Sequence, residues 1–229
     1  MSTAPDDLTG RARLRDAAIE CFAAHGFGES LRTIAARAGV TAGLVRHHFG
    51  SKESLRAECD AKVLERYHTM KVDSLNVPAT RLFAQLPSSR EGGLLMVYIL
   101  RSIQDGGPTG RTFFESMVSE AVGFTKDAVA RGLVVPSRDE DARTRFLVQQ
   151  SIGSMLVNLA MRPDVRLDDF PAVMDQYMAD SMLPTLELYT EGLFADSSYL
   201  DQYLAFTAGN HPPAAPADEA SQHQGNTKE

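Results

Sequence analysis

Arg46, His47 and His48 stand in a row in this chain. Histidine pairs can bind a metal or move a proton, and a basic cluster can meet a phosphate. On a helix, neighbouring side chains diverge by about 100°, so His47 and His48 cannot converge on one ion. His25 and His68 are far away in sequence, and Cys21 and Cys59 form no CxxC pair. No GxSxG, HExxH or phosphate-cradling glycine loop occurs, and no histidine has an evident nucleophile beside it. These absences argue against an enzyme, a metal site or a cofactor. Arg46 has the reach for a bidentate contact to a guanine edge, or for a phosphate. His48 and Lys52 suit phosphate oxygens.

The surrounding residues position that cluster. Ser30 can cap a helix over residues 30–37, although Thr33 stands where a capping box would place Glu. Ala38-Gly39-Val40 makes a turn in which Gly39 can take a positive φ. Thr41 can cap a second helix ending near Phe49. On that helix Val45 and Phe49 share the buried side with Ile34 and Val40. Ala42, Gly43, Arg46 and His47 point outward, and small residues at 42 and 43 let the helix start approach a groove floor. This is a helix-turn-helix. A helix over residues 9–25 precedes it, with Leu14, Ala18, Cys21, Phe22 and His25 on one face. A helix from Ser51 to about Ser74 follows.

The segments "CFAAHGF" and "SLRTIAARAGVTAGLVRHHFGSKESL" resemble the N-terminal domain of the tetracycline-repressor (TetR-type) family of bacterial transcriptional regulators. Arg46 stands where that family usually carries tyrosine, and Leu44 where it usually carries Thr or Ser. The resemblance implies backbone contacts from Arg32 and Thr33. It implies a major-groove surface of Thr41, Ala42, Gly43, Leu44, Arg46 and His47, with phosphate contacts from His48 and Lys52. It also implies a C-terminal helical domain that binds a small effector and dimerises through its last two long helices. Tyr67, Phe83, Tyr98, Phe113, Phe114, Met117, Phe124 and Gln149 then fall on helices that usually surround the cavity, with Arg101 and Glu120 as polar groups that orient a ligand or are paired elsewhere. Apolar walls with few polar groups suit a small hydrophobic or amphipathic effector.

Downstream, apolar patterns of helical length recur between Gly, Pro and Ser breaks. The break "LNVPAT" precedes a short helix expected over residues 79–85. "GGLLMVYIL" could be a buried strand, but its surroundings favour a central helix. Amphipathic segments follow: one ending at Gly132, one starting near Ser137 or Asp139, and one carrying Pro171 in its first turn. Pro184 should kink that last helix. Small residues Gly153 and Ser154 beside Met155, and the stripe Met174, Met178 and Met182, fit either an intrachain core or a dimer interface.

The expected architecture is therefore all-α. Residues 1–50 form a three-helix DNA-binding domain. Residues 51–208 form the ligand-binding and dimerisation domain, with 51–74 as the connecting helix. Residues 209–229, rich in Pro, Ala and Gln, form a disordered tail. Charge agrees with this division. The chain carries −7 overall, yet residues 10–56 hold eight bases (Arg11, Arg13, Arg15, Arg32, Arg37, Arg46, Lys52, Arg56) against four acids. A basic head on an acidic body is what one small polyanion-binding domain produces. No apolar run reaches the ~20 residues that span a bilayer. The first residues lack the apolar stretch of a secretory signal, which leads one to expect a cytoplasmic protein without a membrane partner. The expected function is a homodimeric, effector-released repressor of a pseudo-palindromic operator in double-stranded DNA.

Overall fold

A computed structural model describes residues 5–77, 90–162 and 170–210. Among these every regular element is a helix: α1 Pro5–His25, α2 Leu31–Arg37, α3 Ala42–Phe49, α4 Lys52–Ser74, α5 Arg90–Asp105, α6 Gly107–Ala130, α7 Glu140–Ala160, α8 Phe170–Thr190 and α9 Ser198–Asn210. The expected helix at 79–85, and with it Phe83, lies outside the described residues, as does most of the C-terminal tail. Gly209 and Asn210, assigned above to the tail, close α9.

Helix boundaries follow local chemistry. α1 begins at Pro5, earlier than Thr9, because proline needs no N–H in a first turn and its φ is already helical. Ser51 caps α4 by accepting from Ser54 N–H at 3.0 Å. Asp139, rather than Ser137, caps α7 by accepting from Ala142 N–H at 2.9 Å. "GGLLMVYIL" lies within α5. α8 continues through Pro184 to Thr190.

The chain divides into two compact units, Met1–Ser181 and Met182–Glu229. In the first unit one core runs without a gap from the helix-turn-helix into the helices behind it. Leu14, Phe22, Ile34, Val45 and Phe49 belong to the same buried cluster as Leu55, Cys59, Leu95, Tyr98, Phe113, Met117 and Met155. Burial of each such large side chain contributes ~1.5–3 kcal/mol. His25, expected on the apolar face of α1, is instead exposed at its last residue. α5 and α6 approach closely: a Cβ on Gly110 would lie 2.6 Å from the Ser102 carbonyl oxygen. The second unit carries the end of α8 and all of α9. It leaves Leu183, Leu193, Phe194, Tyr199 and Phe206 exposed.

Candidate nucleic-acid interface

The reading helix is set by its turn. Ser30 Oγ accepts from Thr33 N–H at 3.1 Å, and Glu29 accepts from Ser30 N–H at 2.7 Å, supplying the carboxylate that the incomplete box lacks. α2 ends with Gly39 at φ 70°, a left-handed conformation that disfavours a side chain. Val40 N–H donates to Ala35 O and Gly39 N–H to Ala36 O, which closes the helix end as a Schellman motif. Ile34 and Ala35 are buried beneath it, and Val45 and Phe49 anchor α3 from the other side.

Thr41 sits at the N-cap of α3 in extended backbone, but its side chain makes no capping bond, contrary to expectation. Its hydroxyl faces an exposed position. Gly43, Arg46 and His47 are exposed, as are Arg32 and Thr33 on α2. Ala42 and Leu44, expected at the groove, are half-buried and pack against the core; they hold α3 in place. His48 is half-buried, with its Nε2 3.7 Å from where a Cβ on Gly10 of α1 would stand. The His47 and His48 rings lie 5.5 Å apart, edge to face.

Ion pairing sorts the basic head into two groups, which sequence counting could not do. Arg11 pairs with Glu58, Arg15 with Asp16, Arg37 with Glu20 at 2.5 Å and Arg56 with Asp105 at 2.6 Å. Arg11 also lies 5.0 Å from the centre of the Phe49 ring, tying α1 to α3. Among the described residues no ion pair is made by Arg13, Arg32, Arg46 or Lys52. Half of these bases are thus paired within the fold.

A second constellation joins this head to the helices behind it. Arg101 of α5 donates from Nε to Ala23 O at 2.5 Å and from Nη2 to Ala24 O at 2.9 Å. These carbonyls end α1, where no intrahelical donor remains, and a cation complements the helix dipole. The Arg56 guanidinium lies 3.5 Å from the centre of the Phe27 ring, and Phe27 meets Tyr98 edge to face. Tyr98 donates its hydroxyl to Asp60 at 2.7 Å.

The expected effector pocket is thereby redistributed. Arg101 and Tyr98 serve this joint. Phe113 and Met117 are buried core, Phe114 is half-buried, and Gln149 is exposed. A Glu120 carboxylate oxygen lies 2.7 Å from His68 Nδ1. Tyr67 and Phe124 are half-buried on α4 and α6. Lys71 lies one turn beyond Tyr67 on α4, with its Nζ 5.5 Å from the centre of the Tyr67 ring. An open depression at the α6–α7 connection, lined by Pro136, Ser137, Arg138, Asp139 and Arg143, contains none of the expected pocket residues.

Some of the expected interface residues are engaged within the chain. Met155 is buried, Met174 packs on the core, and Ser154 is hydrogen-bonded to the Tyr177 hydroxyl at 3.1 Å. Gly153, Met178 and Met182 are half-buried. Among the described residues no cluster of His, Cys, Asp or Glu could hold a metal ion, and no described helix is long and apolar enough to cross a membrane.

A helix-turn-helix with unpaired bases on its exposed helices, fused to a helical body, defines a DNA-binding regulator. Comparison with known proteins specifies the class. Residues 14–59 match the family described as bacterial regulatory proteins, tetR family, and residues 91–195 match the tetracyclin repressor-like C-terminal domain. The HTH-type transcriptional regulatory protein RaaS of Mycobacterium tuberculosis is 44% identical over 201 residues, which covers 87% of this chain and 93% of that protein. A TetR-family transcriptional regulator from Rhodococcus sp. shares the fold at a TM-score of 0.51 and 17% identity, over 76% of this chain and 97% of that one. The chain belongs to the TetR family of DNA-binding transcriptional regulators, which are not enzymes.

Proposed function

We propose that the chain is a homodimeric repressor that reads a pseudo-palindromic operator and lets go of it when a small amphipathic effector binds behind the head. The observation that carries this reading is the division of the bases. Among the described residues Arg13, Arg32, Arg46 and Lys52 make no ion pair, while Arg11, Arg15, Arg37 and Arg56 are paired within the fold. Arg46, with Gly43, Thr41 and His47 beside it, faces base edges in the major groove. Arg32, Thr33, His48 and Lys52 face the phosphates on either side. Two copies present two such helices to half-sites about one helical turn apart. The effector acts by binding one spacing of the heads more tightly than the other, since equal affinity would shift nothing.

The experiment is selection of bound DNA from a random pool, followed by titration of the recovered operator with two variants. Arg46→Ala loses ~1–3 kcal/mol at one base position of each half-site and relaxes the preference there. Lys52→Ala weakens binding to all sequences alike and lowers the salt slope by about one. If Arg46→Ala also weakens all sequences uniformly, Arg46 holds phosphate and base reading lies elsewhere on α3.

A further inference from the structure

We propose that Arg11 is a positioning residue for operator recognition: it touches no DNA, and it holds the end of α3 at the angle that base reading needs. This rests on α3 as the reading helix, as proposed above. Three helices meet at this side chain. Arg11 belongs to α1. Its Nε donates to Glu58 Oε2 of α4 at 3.2 Å, and its Nη2 pairs with the other carboxylate oxygen. The guanidinium also lies over the ring of Phe49, the last residue of α3, 5.0 Å from the ring centre. A fork that grips both oxygens of one carboxylate fixes the guanidinium plane, and with it the ring beneath.

The two outer helices brace this contact. α1 and α4 are joined twice more, by Cys59 Sγ donating to Arg15 O at 3.7 Å and by Arg66 donating to Asp16 at 2.9 Å. Leu55 and Cys59, on either side of Glu58 in α4, are buried in the shared core. α3 has only eight residues, and Val45 and Phe49 are its buried ones. From Phe49 back to Ala42 a helix rises ~10 Å, so a tilt of about 10° at Phe49 moves the helix start by ~2 Å. A bidentate bond to a base edge does not survive such a shift, because hydrogen-bond lengths vary by only ~0.5 Å. Contacts from long side chains to phosphates adapt to it. A phosphate ligand at Arg11 would have to approach the Glu58 carboxylate, which already occupies the fork. The pair is partly exposed, 43% for Arg11 and 35% for Glu58, and exposed pairs add little to stability. Its removal should therefore leave the head folded and its aim lost.

The test uses the full chain, an operator selected from a random pool, and a duplex of equal length with that site scrambled. Binding is followed by fluorescence anisotropy over a salt series. Arg11→Met keeps an apolar stem over Phe49 and removes the fork. It should bind the operator about tenfold more weakly and the scrambled duplex within about twofold of wild type, with the salt slope unchanged. Arg11→Lys keeps the charge without the fork and should also lose selectivity. Glu58→Gln should lose it too, and the double variant Arg11→Met with Glu58→Gln should lose no more than Arg11→Met, since all remove one contact. Melting temperatures should stay within about 3 °C of wild type. Equal losses on the two duplexes overturn the proposal; with a slope lower by about one and rescue by Arg11→Lys, they make Arg11 a phosphate ligand. Selectivity unchanged in Arg11→Met overturns it as well. Arg46→Ala and His47→Ala, run beside these, separate the two readings. If neither alters base preference, α3 is not the reading helix and the inference falls with it; if either does while Arg11→Met keeps wild-type selectivity, only the role of Arg11 falls.

Discussion

Asp60 shows how much of this chain's chemistry is settled one side chain at a time. Burial is the larger influence on its carboxyl and raises its pKa above the usual carboxylate range, while the hydrogen bond from Tyr98 pulls the other way. A raised folded pKa means that the protonated form favours the fold. That contribution is complete below the unfolded value of about 3.9 and is lost as pH rises through the folded value. Asp60→Asn stays neutral and still accepts from Tyr98, so it gains stability relative to wild type as pH climbs from about 4 to about 7. Urea midpoints for the two proteins, compared across that window, should diverge; a constant difference would mean that Asp60 is not held back by burial. At this scale the sequence was legible where the signal is local. Ser30 as a cap, and Arg46 as an exposed base, could be read from three or four neighbours. Arg101 could not, because its partners are the main-chain carbonyls of Ala23 and Ala24, and a carbonyl carries no residue type. Thr41 misled for the opposite reason: it has the right type and place for a cap, but its hydroxyl does not make the bond.

Pairs of helices were legible in outline and illegible in contact. The helix type of α5 was decided by its neighbours rather than by its own apolar run, and its closest approach, to α6 at Gly110, left no mark in periodicity. That approach gives a sharp contrast between two glycines of one helix. Gly110→Ala forces a Cβ to 2.6 Å from a backbone oxygen that cannot step aside, and should cost ~1–3 kcal/mol. Gly123→Ala, with nothing within 4 Å of the added atom, should instead stabilise α6 by ~0.5–1 kcal/mol. Chemical denaturation of both variants reads this directly, and equal effects would show that α5 and α6 can part without loss. The same blindness explains the pocket residues. Aromatic residues on α4, α5 and α6 look alike in sequence, and only packing tells that Tyr98 and Phe113 are core, whereas Tyr67 is half-buried.

For the molecule as a whole, the charge asymmetry was visible from counting, but its meaning came from pairing. Four of the eight bases in the head are paired internally, so the proposed DNA-facing surface is smaller than counting alone suggests. The proposed homodimer has apolar surface available to bury. In the first unit Phe146 and Val157 of α7, and Met161 just after it, are open to solvent, and the second unit has its own exposed aromatic residues. Monomers seldom expose large side chains in such number. Light scattering at micromolar concentration should report about twice the chain mass of 25.0 kDa. A monomer at that concentration would remove the two-half-site model while leaving the helix-turn-helix intact.

Regulators of this kind invite modular exchange, in which the head of one is joined to the sensor of another. The joint described above sets the terms for such grafts. Arg101 would accept almost any head, since it reads only the final carbonyls of a helix. Phe27, Arg56 and Asp105 would not, because the stacked guanidinium on one side of the seam is matched to a carboxylate on the other. A chimera cut between α4 and α5 would strand Asp105 without its cation, so a working transplant must carry Phe27 and Arg56 together with Asp105.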